Sequence, residues 1–244
     1  MHIEPGFLIA GGVLLLIAAA FFFWARSNLK KAKRIEDTPT TPVRNVQEGF
    51  VEVKGKVKCA GAALQSPLSK KACVYYRFHV EEHVQRGKNS YWKTVVDDKQ
   101  DAGLQVEDAS QSSIRVNLLA ANLILKPDNR ASSGMFKEAN AELEATLNQK
   151  YGKSSKGFIF NKGMRYTETM LEEGDEIYVL GTAVRAGSDL TIDKANDMFI
   201  VSDESEEQLT KKFHTRKVVG IVFTVIFGLA GAGVGSLSVL ERYL

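Results

Sequence analysis

Hydrophobic positions are distributed along this chain in two different ways. At its ends stand uncharged apolar runs, residues 7–25 and 218–240, whereas between them apolar and polar residues largely alternate. As a helix rising about 1.5 Å per residue, each run spans about 30 Å, the hydrocarbon thickness of a bilayer. Both therefore predict transmembrane helices, the first over 5–25 and the second over 218–240. The first is read as an uncleaved anchor. Met1, His2, Ile3 and Glu4 supply no basic leader, and bulky Phe21, Phe22, Phe23 and Trp24 stand where a cleavage site needs small residues.

Period-two alternation dominates the first half of the middle. Val51, Val53, Gly55 and Val57 alternate with Glu52, Lys54, Lys56 and Lys58. Val74, Tyr76, Phe78 and Val80 likewise alternate with Tyr75, Arg77, His79, Glu81 and His83, so each stretch predicts a strand with one buried face. Arg86, Gly87, Lys88 and Asn89 form a turn, and a returning strand over 90–96 completes a hairpin. Further strands are expected over 104–107, 114–118, 176–184, 190–192 and 199–201, the last two following a turn at Gly187, Ser188 and Asp189. With the turn at Asp108, this pattern looks like a small barrel of OB or SH3 type.

Helical spacing interrupts the strands once, at Phe136, Ala139, Leu143 and Leu147. Ser133 is the expected N-cap, Gly152 the expected terminator, and Glu138, Glu142 and Glu144 the polar face. A second helical segment, 204–215, meets no breaker before the second apolar run and is expected to continue into it, holding the β domain close to the bilayer. The fold class is thus an integral membrane protein, two transmembrane helices flanking a β-rich α+β soluble domain. The soluble domain is assigned to 45–203 and a juxtamembrane helix to 204–217. Residues 26–44 form a basic flank and a linker that Pro39, Thr40, Thr41 and Pro42 keep extended.

Charge adds an orientation. Residues 44–207 hold 22 Lys and Arg against 25 Asp and Glu, although the whole chain carries +3. The basic excess sits at the membrane edge: Arg26, Lys30, Lys31, Lys33 and Arg34 follow the first run, and Lys211, Lys212, Arg216 and Lys217 precede the second. Such flanks collect on the cytoplasmic side, so the middle is expected in the cytoplasm and both termini across the membrane, as in a bacterial inner membrane. The flanks could also grip anionic headgroups. No stripe of interleaved cations and aromatics runs through the middle, which excludes a nucleic-acid partner.

Candidate chemistry is mostly excluded. Cys59 and Cys73 are read as small apolar residues in a reducing compartment, and the absence of C-x-x-C excludes a zinc ribbon or RING-type finger. His79 and His83, with Glu81 and Glu82 between them, lie about 13 Å apart on a strand and cannot share one ion. Gly152 to Gly157 has phosphate-loop glycine spacing but is followed by Phe158 and Ile159, so it reads as a flexible solvated loop. Asp97, Asp98 and Asp101 lack the glycine and terminal glutamate of a calcium loop and read as a polar hairpin end. No triad or nucleophile elbow occurs; no catalytic, cofactor-binding or metal-binding residue is assigned, and no cofactor is expected. The second apolar run instead carries Gly228, Ala232 and Ser236 in one small-residue row and Gly231 and Gly235 in another. Such rows let helix backbones approach, either the first helix or a second copy of the chain.

The segment from Arg165 to Gly181, with Glu168, Leu171, Gly174, Asp175, Tyr178, Val179 and Gly181, resembles the E-x-x-L-x-x-G-D-x-hydrophobic-Tyr-Val-x-Gly stretch of the GIDE domain, also called BAM for "beside a membrane". Val53, Gly55 and Val57, then Ser66, Pro67 and Leu68, then Cys73 to Tyr76 with downstream Trp92, then residues 199–209 fit in the same order. The resemblance covers nearly the whole chain and implies a prokaryotic-type member of a family that includes a mitochondrial RING-type E3 ubiquitin ligase. That relative's RING zinc ligands have no counterpart before Leu244, so ligase activity is not expected to carry over. Two functions are expected: a non-catalytic interaction or sensing module beside the bilayer, or a RING-less component of a ubiquitin-ligase-like or stress pathway. The expected partners are the lipid bilayer and a protein partner or a second copy bound through the second transmembrane helix.

Overall fold

A computed structural model describes residues 5–133, 141–157, 161–187, 189–195 and 198–240. In chain order these form α1 (Pro5–Glu36), β1 (Gly49–Cys59), β2 (Leu64–Gln65), β3 (Ala72–Cys73), β4 (Tyr75–Arg86), β5 (Asn89–Asp101), β6 (Leu104–Glu107), β7 (Ser113–Val116), β8 (Asn122–Ile124), β9 (Asn129–Ser133), α2 (Ala141–Tyr151), β10 (Met164–Leu171), β11 (Glu176–Ala186), β12 (Asp189–Asp193), β13 (Ile200–Ser202) and α3 (Glu206–Leu240). Short 3-10 turns lie at Val43–Asn45 and Leu118–Ala120. The chain divides into two compact units, one made of both chain ends through Pro39 and from Ser205, the other of Thr40–Glu204.

The first unit is an antiparallel pair of helices, each long and apolar enough to cross a membrane. Small residues let the backbones meet. A Cβ on Gly231 would lie 3.0 Å from the Gly11 carbonyl oxygen, and one on Gly220 would lie 2.8 Å from the Ala25 methyl. Between these contacts Phe21 stacks on Phe223 and Phe227, with ring centroids 4.9 and 5.8 Å apart. At the polar end His214 Nε2 lies 3.0 Å from a Glu36 carboxylate oxygen. Helix α1 continues through its basic flank to Glu36, so Ile35 and Glu36 are helical rather than part of the extended linker, and Ile35 is buried. Helix α3 runs unbroken from Glu206 into the second apolar run, as the lack of a breaker predicts.

The second unit contains a closed five-stranded barrel. Strands β1, β6 and β7 form an antiparallel meander, β7 pairs parallel with β12, β12 pairs with β11, and β11 returns to β1. Three meandering strands, a parallel closure and a final hairpin make an OB-type arrangement, and closure removes the exposed edges a five-stranded sheet would otherwise present. Two long excursions leave the barrel, one between β1 and β6 and the other between β7 and β11. The first contributes β4 and β5 and the second β9 and β10, which pair as an antiparallel sheet in the order β5-β4-β10-β9. Beyond the barrel, β13 pairs with β11 and carries β8 as an outermost parallel strand.

Each sheet has its own core. Val53, Val57, Leu104, Val106, Ile114, Val116, Val179 and Ile192 fill the barrel. Phe78, Val80, Met164, Tyr166 and Met170 are covered by Leu143 and Leu147 of α2. Helix α2 stops at Gly152, whose φ of +60° is the left-handed conformation glycine adopts without cost. Phe136, Ala139 and Glu138 of the expected helix lie outside the described residues. Ser133 is not an N-cap but the last residue of β9, where its hydroxyl lies 3.2 Å from the Tyr166 hydroxyl.

Three other expectations change. Tyr75 is buried, not outward: it faces the barrel core while Tyr76 faces the second one, because β4 passes between them. Asp97, Asp98 and Asp101 lie within β5, which is longer than expected, rather than at a hairpin end, while the hairpin turns at Gly87 and Lys88 as expected. Glu52, expected on a solvated face, is fully buried.

Glycine is required in the barrel where β1 crosses β6. A Cβ on Gly55 would overlap the Glu107 carbonyl oxygen and sit 2.8 Å from its carbon, both rigid backbone atoms. We expect Gly55→Ala to destabilise the domain by about 2–4 kcal/mol through overpacking, measured by denaturant unfolding of the full chain in detergent. Gly12→Ala, with no atom within 4 Å of the added carbon, serves as the neutral comparison.

Candidate functional site

Four carboxylates have their acceptor capacity taken by protein donors, which for Glu52, Glu168 and Asp98 include residues distant in the chain and for Glu144 come from the loop that follows its helix. Glu52 accepts from Thr40 Oγ1 at 2.5 Å and Tyr178 Oη at 2.7 Å, with Lys54 Nζ at 3.1 Å. Glu168 accepts from the Leu68 and Ser69 amides at 2.7 and 3.1 Å and from Ser69 Oγ at 2.5 Å, tying β10 to the loop before β3. Glu144 receives Ser154 Oγ, Ser155 Oγ and the Ser155 amide. Burial would raise the Glu144 pKa, but these serine bonds outweigh it and the net shift is downward. The segment expected to be a flexible solvated loop is therefore pinned, and Ser155 is buried.

Asp98 is the centre of the fourth arrangement. It accepts from Tyr76 Oη at 2.9 Å, Lys150 Nζ at 2.9 Å and Tyr151 Oη at 2.7 Å, joining β4 and β5 to the end of α2. Burial alone would raise its pKa; the hydrogen bonds from Lys150, Tyr151, Gln100 and Tyr76 overcome that and hold it at about 2. Lys150 is pushed up by the same partners in spite of burial. A general base must reach a substrate proton. These four carboxylates instead face protein donors, which assigns them to holding segments together.

The outer face of the second sheet carries the histidine cluster. Arg77 forks onto Asp97 at 2.7 and 3.1 Å, and Arg165 onto Glu81 at 2.5 and 3.0 Å. The Arg165 bond holds the Glu81 carboxyl below its ordinary range. His79 lies 3.2 Å from Thr94 Oγ1, whereas His83 packs on Trp92 with ring centroids 5.1 Å apart. The two histidines thus have separate neighbours. Among the described residues no three His, Cys, Asp or Glu side chains gather as a metal site would require. Both cysteines are free thiols; burial pushes Cys73 up to about 11, away from thiolate chemistry, while Cys59 is half-buried.

One groove combines apolar and polar walls. It encloses about 310 Å³ between the 3-10 turn and β8 on one side and β4 and β5 on the other. Leu118, Leu119, Ala121, Leu123 and Leu125 face Arg77, Lys99, Gln100 and Asp101 across it. Leu119 is 92% exposed, and its turn is held by Asn117, whose side-chain oxygen accepts from the Leu119 amide at 3.2 Å. Burial raises the pKa of Asp101. Among the described residues β8, which carries Leu123 of the groove wall, is the last strand of its sheet.

The small residues of α3 divide between two faces. Gly231 is buried against Gly11, and Gly235 lies beside Gly11 with its amide nitrogen 3.2 Å from where a Gly11 Cβ would be. In the other row, Gly228 has open space where a Cβ would lie, and Ala232 and Ser236 are exposed. Arg26, Lys30, Lys33, Arg34, Lys211 and Arg216 are exposed, while Lys31, Lys212 and Lys217 are half-buried. Lys31 and Arg216 lie over the Phe213 ring at 5.7 and 5.8 Å. The sequence predicts the hairpin turn but not the groove: Leu118, expected to end a strand over 114–118, lies instead in the 3-10 turn after β7, which ends at Val116. The signal for the groove is Leu119, an apolar residue out of period with Ile114, Val116 and Leu118.

The family model for GIDE, described as "E3 Ubiquitin ligase", matches residues 75–235. No curated protein and no solved structure matches the chain.

The depressed Asp98 pKa generates a pH dependence. A carboxylate with a lower pKa folded than unfolded adds stability above its unfolded value near 3.9, lost as pH falls through the folded value of about 2. We expect Asp98→Asn to cost about 1–2 kcal/mol near neutral pH and to flatten the loss of stability between about pH 4 and pH 2. Unfolding of the full chain in detergent, followed by near-ultraviolet circular dichroism across that range, checks both.

Proposed function

Because the chain belongs to the GIDE family, we propose that it is a membrane-anchored interaction module, without a catalytic centre in this chain, that holds an extended segment of a partner protein beside β8. The observation that carries this reading is the amphipathic groove with Leu119 almost fully exposed on its rim. A leucine kept in water on a capped turn, next to a sheet edge, suits addition of a strand from another chain. Backbone bonds to β8 would supply affinity, and the leucine wall with Lys99 opposite would select an apolar side chain followed by an acidic one. Photo-crosslinkers placed at Leu119 and at Lys194 in native membranes should test it. Adducts formed at Leu119, absent at Lys194 and reduced at least about fivefold by Leu123→Glu support the reading; identical adducts at both positions sink it.

A second reading, a component of a ubiquitin-ligase-like or stress system, is favoured by the description attached to the matched family model. It differs in a measurable way: a RING-less component would be recovered from native membranes crosslinked to a ubiquitin-pathway enzyme, whereas zinc bound stoichiometrically by the purified chain together with autoubiquitination would mark a ligase instead.

The domain is assigned to the cytoplasmic face of a bacterial inner membrane on the strength of the basic flanks. A reporter active only outside the cytoplasm, fused after Leu244, should be active; activity from a cytoplasm-only reporter there reverses the orientation.

A further inference from the structure

The β4–β5 hairpin extends past the sheet it belongs to. Its neighbour β10 reaches only to Glu82 through Met164, with one more bond from the His83 amide to the Gly163 carbonyl at 2.7 Å. Beyond that point, among the described residues, the two strands pair only with each other, and Gly87, at φ +64°, closes a two-residue turn. Every residue from Gln85 through Thr94 is exposed.

The composition of this tip is one-sided. No acidic residue occurs between Glu82 and Asp97, whereas Arg86, Lys88 and Lys93 all do. Among the described residues none of those three cations makes an ion pair; Lys93 stands opposite Glu82, which is itself paired with Lys162 at 3.5 Å. Tyr91 and Trp92 are 49% and 42% exposed, large for ring systems on a soluble domain. Adjacent strand residues point to opposite faces, so the two rings project on both sides of the ribbon. The Arg165 guanidinium lies 4.4 Å from the Trp92 ring centroid, but its charge is already matched by Glu81. Among the described residues the unmatched charge is that of Arg86, Lys88 and Lys93.

We propose that the tip of this hairpin docks onto an anionic lipid surface. Tyrosine and tryptophan prefer the headgroup layer, where the ring is half dry and the hydroxyl or indole N–H stays wet. Unpaired Lys and Arg add attraction to anionic headgroups, about fivefold in partitioning for each charge near the surface. A ribbon tip offers no concave pocket that would fit one protein side chain, and a fluid headgroup layer needs none. Nor does a basic stripe continue along the sheet, where Arg77 and Arg165 are spent on Asp97 and Glu81, so a nucleic-acid strand would have no track to follow.

The chain has only two tryptophans, Trp24 in α1 and Trp92, so Trp24→Phe leaves the hairpin as the sole indole reporter. The full-length Trp24→Phe protein is reconstituted into vesicles of phosphatidylcholine, or phosphatidylcholine mixed with phosphatidylglycerol, each carrying lipid brominated high in the acyl chain. Should that variant fold poorly, the difference between wild-type and Trp92→Phe proteins isolates the same signal. Docking predicts blue-shifted, bromine-quenched Trp92 emission in the anionic vesicles, weaker in zwitterionic ones. Arg86→Gln with Lys88→Gln and Lys93→Gln should abolish the difference, a loss on the order of a hundredfold in partitioning. High salt should weaken it as well. Unquenched, water-exposed emission in both vesicle types overturns the proposal, as does quenching equal in both and indifferent to the triple substitution.

Discussion

A carboxylate taken out of water must be given donors in place of its lost hydration, and the domain is organised by that requirement. Isolated burial of an ionised carboxyl is prohibitive, whereas one that collects several hydrogen bonds is tolerated only while its donors stay in place. Glu168 brings together two excursions that are far apart in sequence: it lies on β10 in the second, and its donors Leu68 and Ser69 lie in the first. Asp98 repeats the device from the other direction, with the acid on β5 and Lys150 and Tyr151 on α2. Glu52 does so at the barrel, where Thr40 and Tyr178 converge on it. Each acid is a junction whose loss of a donor would leave a buried charge unmatched, which is what makes the joined segments interdependent.

The barrel explains why such junctions are needed. The chain leaves the barrel and returns to it twice, between β1 and β6 and between β7 and β11, before the parallel contact between β7 and β12 forms. Those departures are long enough to make a sheet of their own. Their strands gain stability only by pairing with one another, β4 with β10, since neither excursion carries enough strands for a covered sheet alone. Helix α2 then closes the second core with Leu143 and Leu147, each worth roughly 2–3 kcal/mol of burial. Glu144, on the same helix, fixes the loop that follows by holding Ser154 and Ser155.

This organisation also accounts for what the sequence disclosed. Strands β4 and β6 announce themselves by alternation, with Phe78 and Val80 and with Leu104 and Val106 buried at every second position. Strand β10 obeys the same period, with Met164, Tyr166 and Met170 buried, but the buried face includes Glu168 and the pattern is broken where the junction sits. Glu52 misleads in the opposite direction: it looks like a solvated alternate residue of β1 and is fully buried. Local hydrophobicity cannot distinguish a carboxylate facing water from one facing donors supplied by residues over a hundred positions away. Pairing between the two excursions is equally invisible, since it depends on register between segments with no local signal in common. The membrane helices were legible for the converse reason, their burial being set by composition over a continuous run.

The groove beside β8 and the basic hairpin share one physical property that separates them from the rest of the domain. On the face of the second sheet and beside it cations are matched within the chain: Arg77 by Asp97, Arg165 by Glu81, Lys71 by Glu172. At Leu119 apolar surface is left uncovered by a turn rigidly capped from Asn117, and at Arg86 and Lys88 charge is left uncompensated at the end of a regular hairpin. In neither place is the backbone irregular, so neither exposure follows from poor local folding. Holding a leucine in water costs burial energy, and clustering like charges costs repulsion, whereas a single polar substitution in each would relieve both. The domain's unsatisfied groups therefore lie where its secondary structure is well formed, which is where a partner can recover what folding leaves unspent.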